Sequence, residues 1–153
     1  MEQENFMKEA LKEAKKAYEK EEIPIGAVIV KDGKVIARGH NLKETQRNTL
    51  KHAELVAIEK ASKKLNCWRL QDCDLYVTLE PCPMCMGAIL NARIRTLYFG
   101  TDDPKSGACG SIVDLTNYPF NHKLEVEKGI MQKECAQILT TFFKELRKKK
   151  KQN

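Results

Sequence analysis

Two cysteines, Cys82 and Cys85, stand three apart in LEPCPMCMG (residues 79–87), after a β-rich run and at the start of a helical one. Thiols at that spacing lie within one helical turn, so both sulfurs share a face and can reach one ion. The positive end of the helix dipole favours their thiolate forms. Three chemistries use such a pair. A thioredoxin-like redox site occupies a strand-to-helix turn and needs no partner elsewhere. A structural zinc site needs four ligands, usually from two such pairs, whereas a catalytic one needs three and an open position. Cys67, Cys73, Cys109 and Cys135 form no second pair at that spacing.

A third ligand is on offer in HAEL, residues 52–55. His52 follows a polar, irregular stretch and opens another helical pattern, with Glu54 two residues on. On a regular helix, residues two apart point to nearly opposite sides. They share one site only if the pair straddles the helix entrance, with His52 toward a metal and Glu54 placed to move protons. A lone histidine at a helix start is more often a cap or a surface group. The combination His-x-Glu followed by Pro-Cys-x-x-Cys is much rarer than either part, and is similar to the signature of zinc-dependent nucleobase deaminases.

These groups need a frame to hold them. Residues 3–20 repeat apolar side chains at Phe6, Met7, Ala10, Leu11, Ala14, Ala17 and Tyr18, the stripe of an amphipathic helix. IGAVIVKDGKVIARGH reads as two strands around Asp32-Gly33, a strong hairpin signal. A loop covers 41–51, and a helix is expected from near His52 to about Lys64. DLYVTLE (74–80) and TLYFGT (96–101) read as strands, with a helix between them from Pro83 to about Ala92. That helix is apolar almost all round, which predicts burial. DDPKSGACGS is a loop of functional composition, HKLEVEKG offers a fifth strand, and a final helix carries Met131, Cys135, Ile138, Leu139, Phe142, Phe143 and Leu146 on one face. Strands alternating with helices predict layered α/β architecture. A single domain is expected over 1–148, with a basic, disordered tail at 149–153.

Composition narrows the setting. The chain has 153 residues, 42% of them apolar and 31% charged. It has no run near the ~18 apolar residues that a membrane span needs. Its first twenty residues are rich in charges of both signs and helical without an apolar core, unlike a signal peptide, so a cytoplasmic location is expected. In that setting six cysteines favour metal or redox use over disulfides. The net charge of +6 is concentrated at the end, in KELRKKKKQN. Such a run is either a solvated tail or a contact for nucleic-acid phosphates.

HAE, PCPMC, FGTDDPKSGACGS, Asn121-His122 and GIMQKECAQILTTFFKELRKKK together resemble the bacterial tRNA adenosine deaminases of the cytidine-deaminase-like superfamily, from about residue 6 to 148. The first two motifs are shared with guanine, cytosine and dCMP deaminases, while the loop and the final helix are more particular to the tRNA-editing branch. The resemblance implies hydrolytic deamination of the wobble adenosine to inosine in a tRNA anticodon stem-loop. It implies a three-layer α/β/α fold around a mixed sheet of about five strands, a homodimer, and one Zn2+ per subunit. Carried onto this sequence, it makes His52, Cys82 and Cys85 the metal ligands and Glu54 the proton shuttle. It puts Asn41 against the flipped nucleoside, and Asp103, Lys105 and Ser106 in a loop touching the anticodon. Asn121 and His122 become further RNA contacts, and Arg147 with the lysines after it reaches phosphates.

Other readings stay open for several of these. Asn41 can simply end its strand, and Asp103 and Ser106 can be ordinary turn residues. His40 matches nothing in the family and is expected to be structural. The chain also departs from the family. Asn48-Thr49-Leu50-Lys51 stands where Asp-Pro-Thr-Ala is usual, which puts a positive charge beside His52, and Cys109 stands where a small residue is usual. Two rival functions remain. A free-base or nucleotide deaminase shares the metal chemistry but needs neither the basic end nor the 102–111 loop. A non-catalytic RNA-binding subunit has no use for Glu54.

Overall fold

A computed structural model describes residues 2–152. Strands β1 (Gly26–Lys31) and β2 (Lys34–His40) form the expected hairpin. Asp32 and Gly33 both take positive φ, 51° and 74°, as a tight turn matched to the strand twist requires. The remaining strands are β3 (Cys73–Leu79), β4 (Thr96–Thr101) and β5 (Glu125–Lys128), and the sheet order is β2-β1-β3-β4-β5. β1 runs antiparallel to both β2 and β3, while β3, β4 and β5 run parallel. The sheet is therefore mixed, as expected.

Helices α1 (Glu2–Glu19), α2 (Ala53–Leu65), α3 (Pro83–Asn91) and α4 (Gln132–Gln152) cover both faces. The division follows from the two-residue repeat of the strands. Ala27, Ile29, Leu75, Val77, Leu97 and Phe99 pack on one side with Ala53, Ala57, Met86 and Ile89 of α2 and α3. Val28, Val30 and Tyr76 pack on the other with Met7, Ala10 and Leu11 of α1 and Cys135 of α4. This gives three layers, α/β/α. Contact with α2 is very close at Gly39, where a Cβ would lie 2.5 Å from the Ala53 carbonyl oxygen. Only a residue without a side chain lets the start of α2 rest on the sheet.

Pairing of Gly26 with His40, Ala27 with Val77 and Leu79 with Thr101 brings one end of four strands together. α2 and α3 both begin at this end. Against the expectation of a helix buried all round, α3 buries Cys85, Met86, Ile89 and Leu90 but leaves Gly87 and Ala88 half-exposed. Among the described residues, a Cβ placed on Gly87 would meet nothing within 4 Å, so this side of α3 is open there. α4 continues as one helix through Gln132–Gln152, past the boundary expected at 148. Lysine is a good helix former, and cations at a helix C-terminus oppose its dipole favourably. Lys149 Nζ also lies 2.7 Å from Glu21 Oε1 at the end of α1. No described helix is long and apolar enough to cross a membrane.

Candidate metal centre and substrate loop

α2 and α3 begin in the same unusual way. His52 and Cys82 occupy their N-cap positions with extended backbones, and neither side chain caps its own helix. Each turns toward the other instead. His52 Nδ1 lies 3.7 Å from Cys82 Sγ and 3.5 Å from Cys85 Sγ. All three ligand atoms fall within 4.8 Å of one another. A tetrahedral zinc ion with ordinary bond lengths puts its nitrogen and sulfur ligands about 3.5 Å apart. One imidazole and two thiols at this spacing fit that ion, and three protein donors leave one position open. Among the described residues Cys109 does not join this group, so it does not supply a fourth ligand.

The protonation of the group follows from its crowding. The Cys85 thiol, and then His52, hydrogen-bond to Cys82 and hold its pKa down at about 4 against the cost of burial. The same bond to Cys82, with burial, pushes Cys85 up. His52 is raised by its bond to Cys82. Glu54 is buried at the second residue of α2, where desolvation raises its carboxyl to about 7. His52, Cys85 and its own backbone N–H pull the other way. Because His52 precedes the first helical turn and Glu54 lies within it, the two share one site despite their spacing.

Asn41 is buried directly after β2, and its Oδ1 accepts the Ala53 N–H at 2.9 Å. It thus supplies the cap to α2 that His52 does not, which leaves its Nδ2 as a donor. The 103–111 loop comes to the same end of the sheet from β4. Asp103 Oδ1 accepts the backbone N–H groups of Lys105 and Ser106 at 3.0 and 3.2 Å, in the manner of an Asx turn. The side chains of Lys105 and Ser106 are exposed. Asn121 and His122 are not brought to this place. His122 Nε2 lies 2.6 Å from the carbonyl oxygen of Ile94, just before β4, at the opposite end of the sheet. Arg147 is exposed on the last turns of α4.

Two departures prove mild in this arrangement. Lys51 Nζ lies 3.3 Å from Glu59 Oε1, so its charge is turned along α2. Cys109 is buried, its thiol pushed up to about 12 by desolvation. His40 is structural, with Nδ1 2.9 Å from Glu13 Oε1 and Nε2 2.9 Å from Lys20 Nζ. Among the buried carboxylates that sequence reasoning missed, Glu22 and Glu80 hold loops near the site. Glu22 accepts from the backbone of Glu44 (3.1 Å) and of Thr45 (2.6 Å), which ties down the loop before His52. Glu80 does the same for the 103–111 loop. For Glu80 the available signal was an acidic residue at an otherwise apolar strand end; Glu22, in a charged stretch after α1, gave none.

A family profile for MafB19-like deaminases matches residues 1–147. The chain is 53% identical over 147 residues to the tRNA-specific adenosine deaminase of Bacillus subtilis (strain 168), covering 95% of this chain and 91% of that one. It is 48% identical over 151 residues to the tRNA-specific adenosine deaminase of Streptococcus pyogenes (serotype M18, strain MGAS8232), covering 98% and 95%. A solved structure from a study of A-to-I editing by tRNA:A34 deaminases at the wobble position superposes with a TM-score of 0.86. That match has 48% identity and covers 88% of this chain and 99% of the other. Likeness over nearly the whole length, with a deaminase-type His/Cys/Cys group at the strand ends, leaves one assignment: the chain belongs to the tRNA-specific adenosine deaminase family and is a deaminase.

Proposed function

We propose that this enzyme converts the wobble adenosine of a tRNA anticodon loop to inosine by zinc-dependent hydrolysis, releasing ammonia. The observation that carries the reading is Glu54, a carboxyl buried at the start of α2 beside three metal-type donors. A structural metal site has no use for such a group.

His52, Cys82 and Cys85 would hold the ion. When bound, zinc supplies an acidified water able to attack an amidine carbon. Glu54, buried beside those donors, would serve as the proton carrier of the reaction, accepting a proton from the attacking water and delivering protons to the ring nitrogen and the departing amine. Asn41, fixed by its bond to Ala53, offers its Nδ2 to the nucleoside. An anticodon loop presents bases already partly unstacked, so admitting one to a closed pocket costs little.

Asp103, Lys105 and Ser106 meet the RNA beside the pocket, Lys105 and Ser106 through exposed side chains and Asp103 by fixing their backbone. Arg147 and the lysines that follow meet phosphates. The Lys149–Glu21 pair supports this, because Glu22, next in the chain, is hydrogen-bonded to the 44–45 loop on the approach to His52. Asn121 and His122 contact RNA away from the pocket. A second copy covers the outer side of α3, which makes the enzyme a homodimer, and it acts where tRNA is, in the cytoplasm.

Incubation with total tRNA, followed by sequencing for adenosine-to-guanosine readout at the wobble position, tests the reading. Inosine at that position, with binding that weakens steeply as salt rises, is the expected result. Turnover of free guanine or cytosine, without any on tRNA, overturns it.

A further inference from the structure

Glu80 is buried, two residues before Cys82, and has no task in the chemistry just described. Its two oxygens receive four hydrogen bonds, all from one loop. Oε1 accepts the Asp103 N–H at 2.9 Å and the Ser111 hydroxyl. Oε2 accepts the N–H groups of Cys109 at 2.9 Å and Ser111 at 3.1 Å. Ala108 N–H donates to the Pro81 carbonyl at 2.8 Å, a further stitch to the segment that leads into Cys82. A Cβ on Gly107 would lie 2.4 Å from either carboxylate oxygen, so the loop closes around the carboxylate with no space left. Asp103 passes the restraint on, since its own carboxylate holds the backbone of Lys105 and Ser106.

We infer that Glu80 is a positioning residue: it binds the 103–111 loop to the strand end that delivers Cys82, and so sets where RNA on that loop stands relative to the metal ligands. The substrate half of this inference rests on the deamination reading above; the loop-holding half does not. A carboxylate suits the task because both of its tips are acceptors only. Glutamine has nearly the same shape, but one tip becomes a donor. Whichever tip that is, it then faces at least one backbone N–H from Asp103, Cys109 or Ser111.

The test compares wild-type, Glu80→Gln and Ser111→Ala holoenzymes by zinc content, amide hydrogen exchange, and kinetics on an anticodon stem-loop RNA. For Glu80→Gln the expected result is unchanged zinc, kcat within about threefold, and KM raised about tenfold, the scale of one charge-assisted hydrogen bond lost. Exchange should quicken in residues 103–111 and not in α2. Ser111→Ala, which removes one donor from an exposed position, should move KM about threefold in the same direction, and it decides the matter should Glu80→Gln not fold. Unchanged loop exchange overturns the inference, as does quicker loop exchange with KM unmoved. Loss of zinc or of kcat alone also overturns it, by placing Glu80 with the metal segment instead. Absence of RNA deamination by the wild-type protein sinks the function reading, whereas loop exchange, measured without RNA, still judges the role of Glu80 as an anchor.

Discussion

Glu54 and Glu80 flank the metal ligands symmetrically, one two residues after His52 and the other two residues before Cys82, and both are buried. Their carboxyls are driven in opposite directions. Desolvation dominates at Glu54 and raises it to about 7. Desolvation acts on Glu80 as well, but the Ser111 hydroxyl and three backbone N–H groups outweigh it and hold the carboxyl below its ordinary range. The charge of each carboxyl is set by the balance between the depth of its desolvation, greater at Glu54, and the donors facing it, more numerous at Glu80. A group with few donors can gain and lose a proton during a reaction. One surrounded by donors is a fixed anion that can only hold structure.

The largest test of this contrast is Glu54→Gln. Removing a proton carrier should cost about 10^2- to 10^4-fold in kcat. Zinc content should persist, since the three donors are untouched. Thermal stability should hold or rise, because a poorly solvated carboxyl is gone. Single-turnover inosine formation, metal analysis and a melting curve check all three. Near-normal turnover would break the Glu54 side of the comparison.

Glu22 sharpens the other side, away from the metal. It too is buried, with the backbone N–H groups of Glu44 and Thr45 and the Thr45 hydroxyl (2.5 Å) directed at it. Burial raises its carboxyl, but these bonds prevail and set it below the ordinary 4.5. A depressed folded-state pKa means stability that is present above the unfolded value and lost as pH falls through the folded one. Glu22→Gln should cost about 1–3 kcal/mol at neutral pH, the range for disrupting hydrogen bonds to a buried charge. The gap in melting temperature between wild type and variant should narrow below pH 4.5. A gap independent of pH would show that shape, and not charge, holds the loop.

The same contrast explains what the sequence made legible. His52, Cys82 and Cys85 could be paired in advance because metal ligation demands rare residue types, and their spacing admits few geometries. The hairpin around Asp32-Gly33 and strand β4 were readable because backbone sterics and two-residue alternation act locally. Glu80 was not readable, since an acidic residue after a strand looks like a solvated strand end until a loop twenty-three residues later folds over it. The end of α4 was hidden for a related reason. A lysine run reads as frayed unless Glu21, more than a hundred residues earlier, is seen to stand beside Lys149. The proposed RNA contacts separate by topology: the 103–106 turn follows a strand end at the site, whereas Asn121-His122 precedes the far end of β5. Which end a loop reaches depends on strand direction, and residue pattern does not carry that.

The smallest expected effect concerns Glu21 itself, an exposed carboxylate held low by its hydrogen bond to Lys149. Solvent and salt screen such a pair, so its contribution to stability is slight. Lys149→Ala and Glu21→Ala should therefore melt within error of wild type. Their effects on RNA should differ in sign, because one removes a cation from the basic end and the other releases it. Lys149→Ala should weaken anticodon stem-loop binding and lower the slope of log K against log salt by nearly one ion, as loss of one phosphate contact requires. Glu21→Ala should leave that slope unchanged or steeper and binding equal or tighter at low salt. If both variants weaken binding alike, the pair serves to hold α4 against α1 rather than to present charge. The lysines after Arg147 then act through the helix they extend.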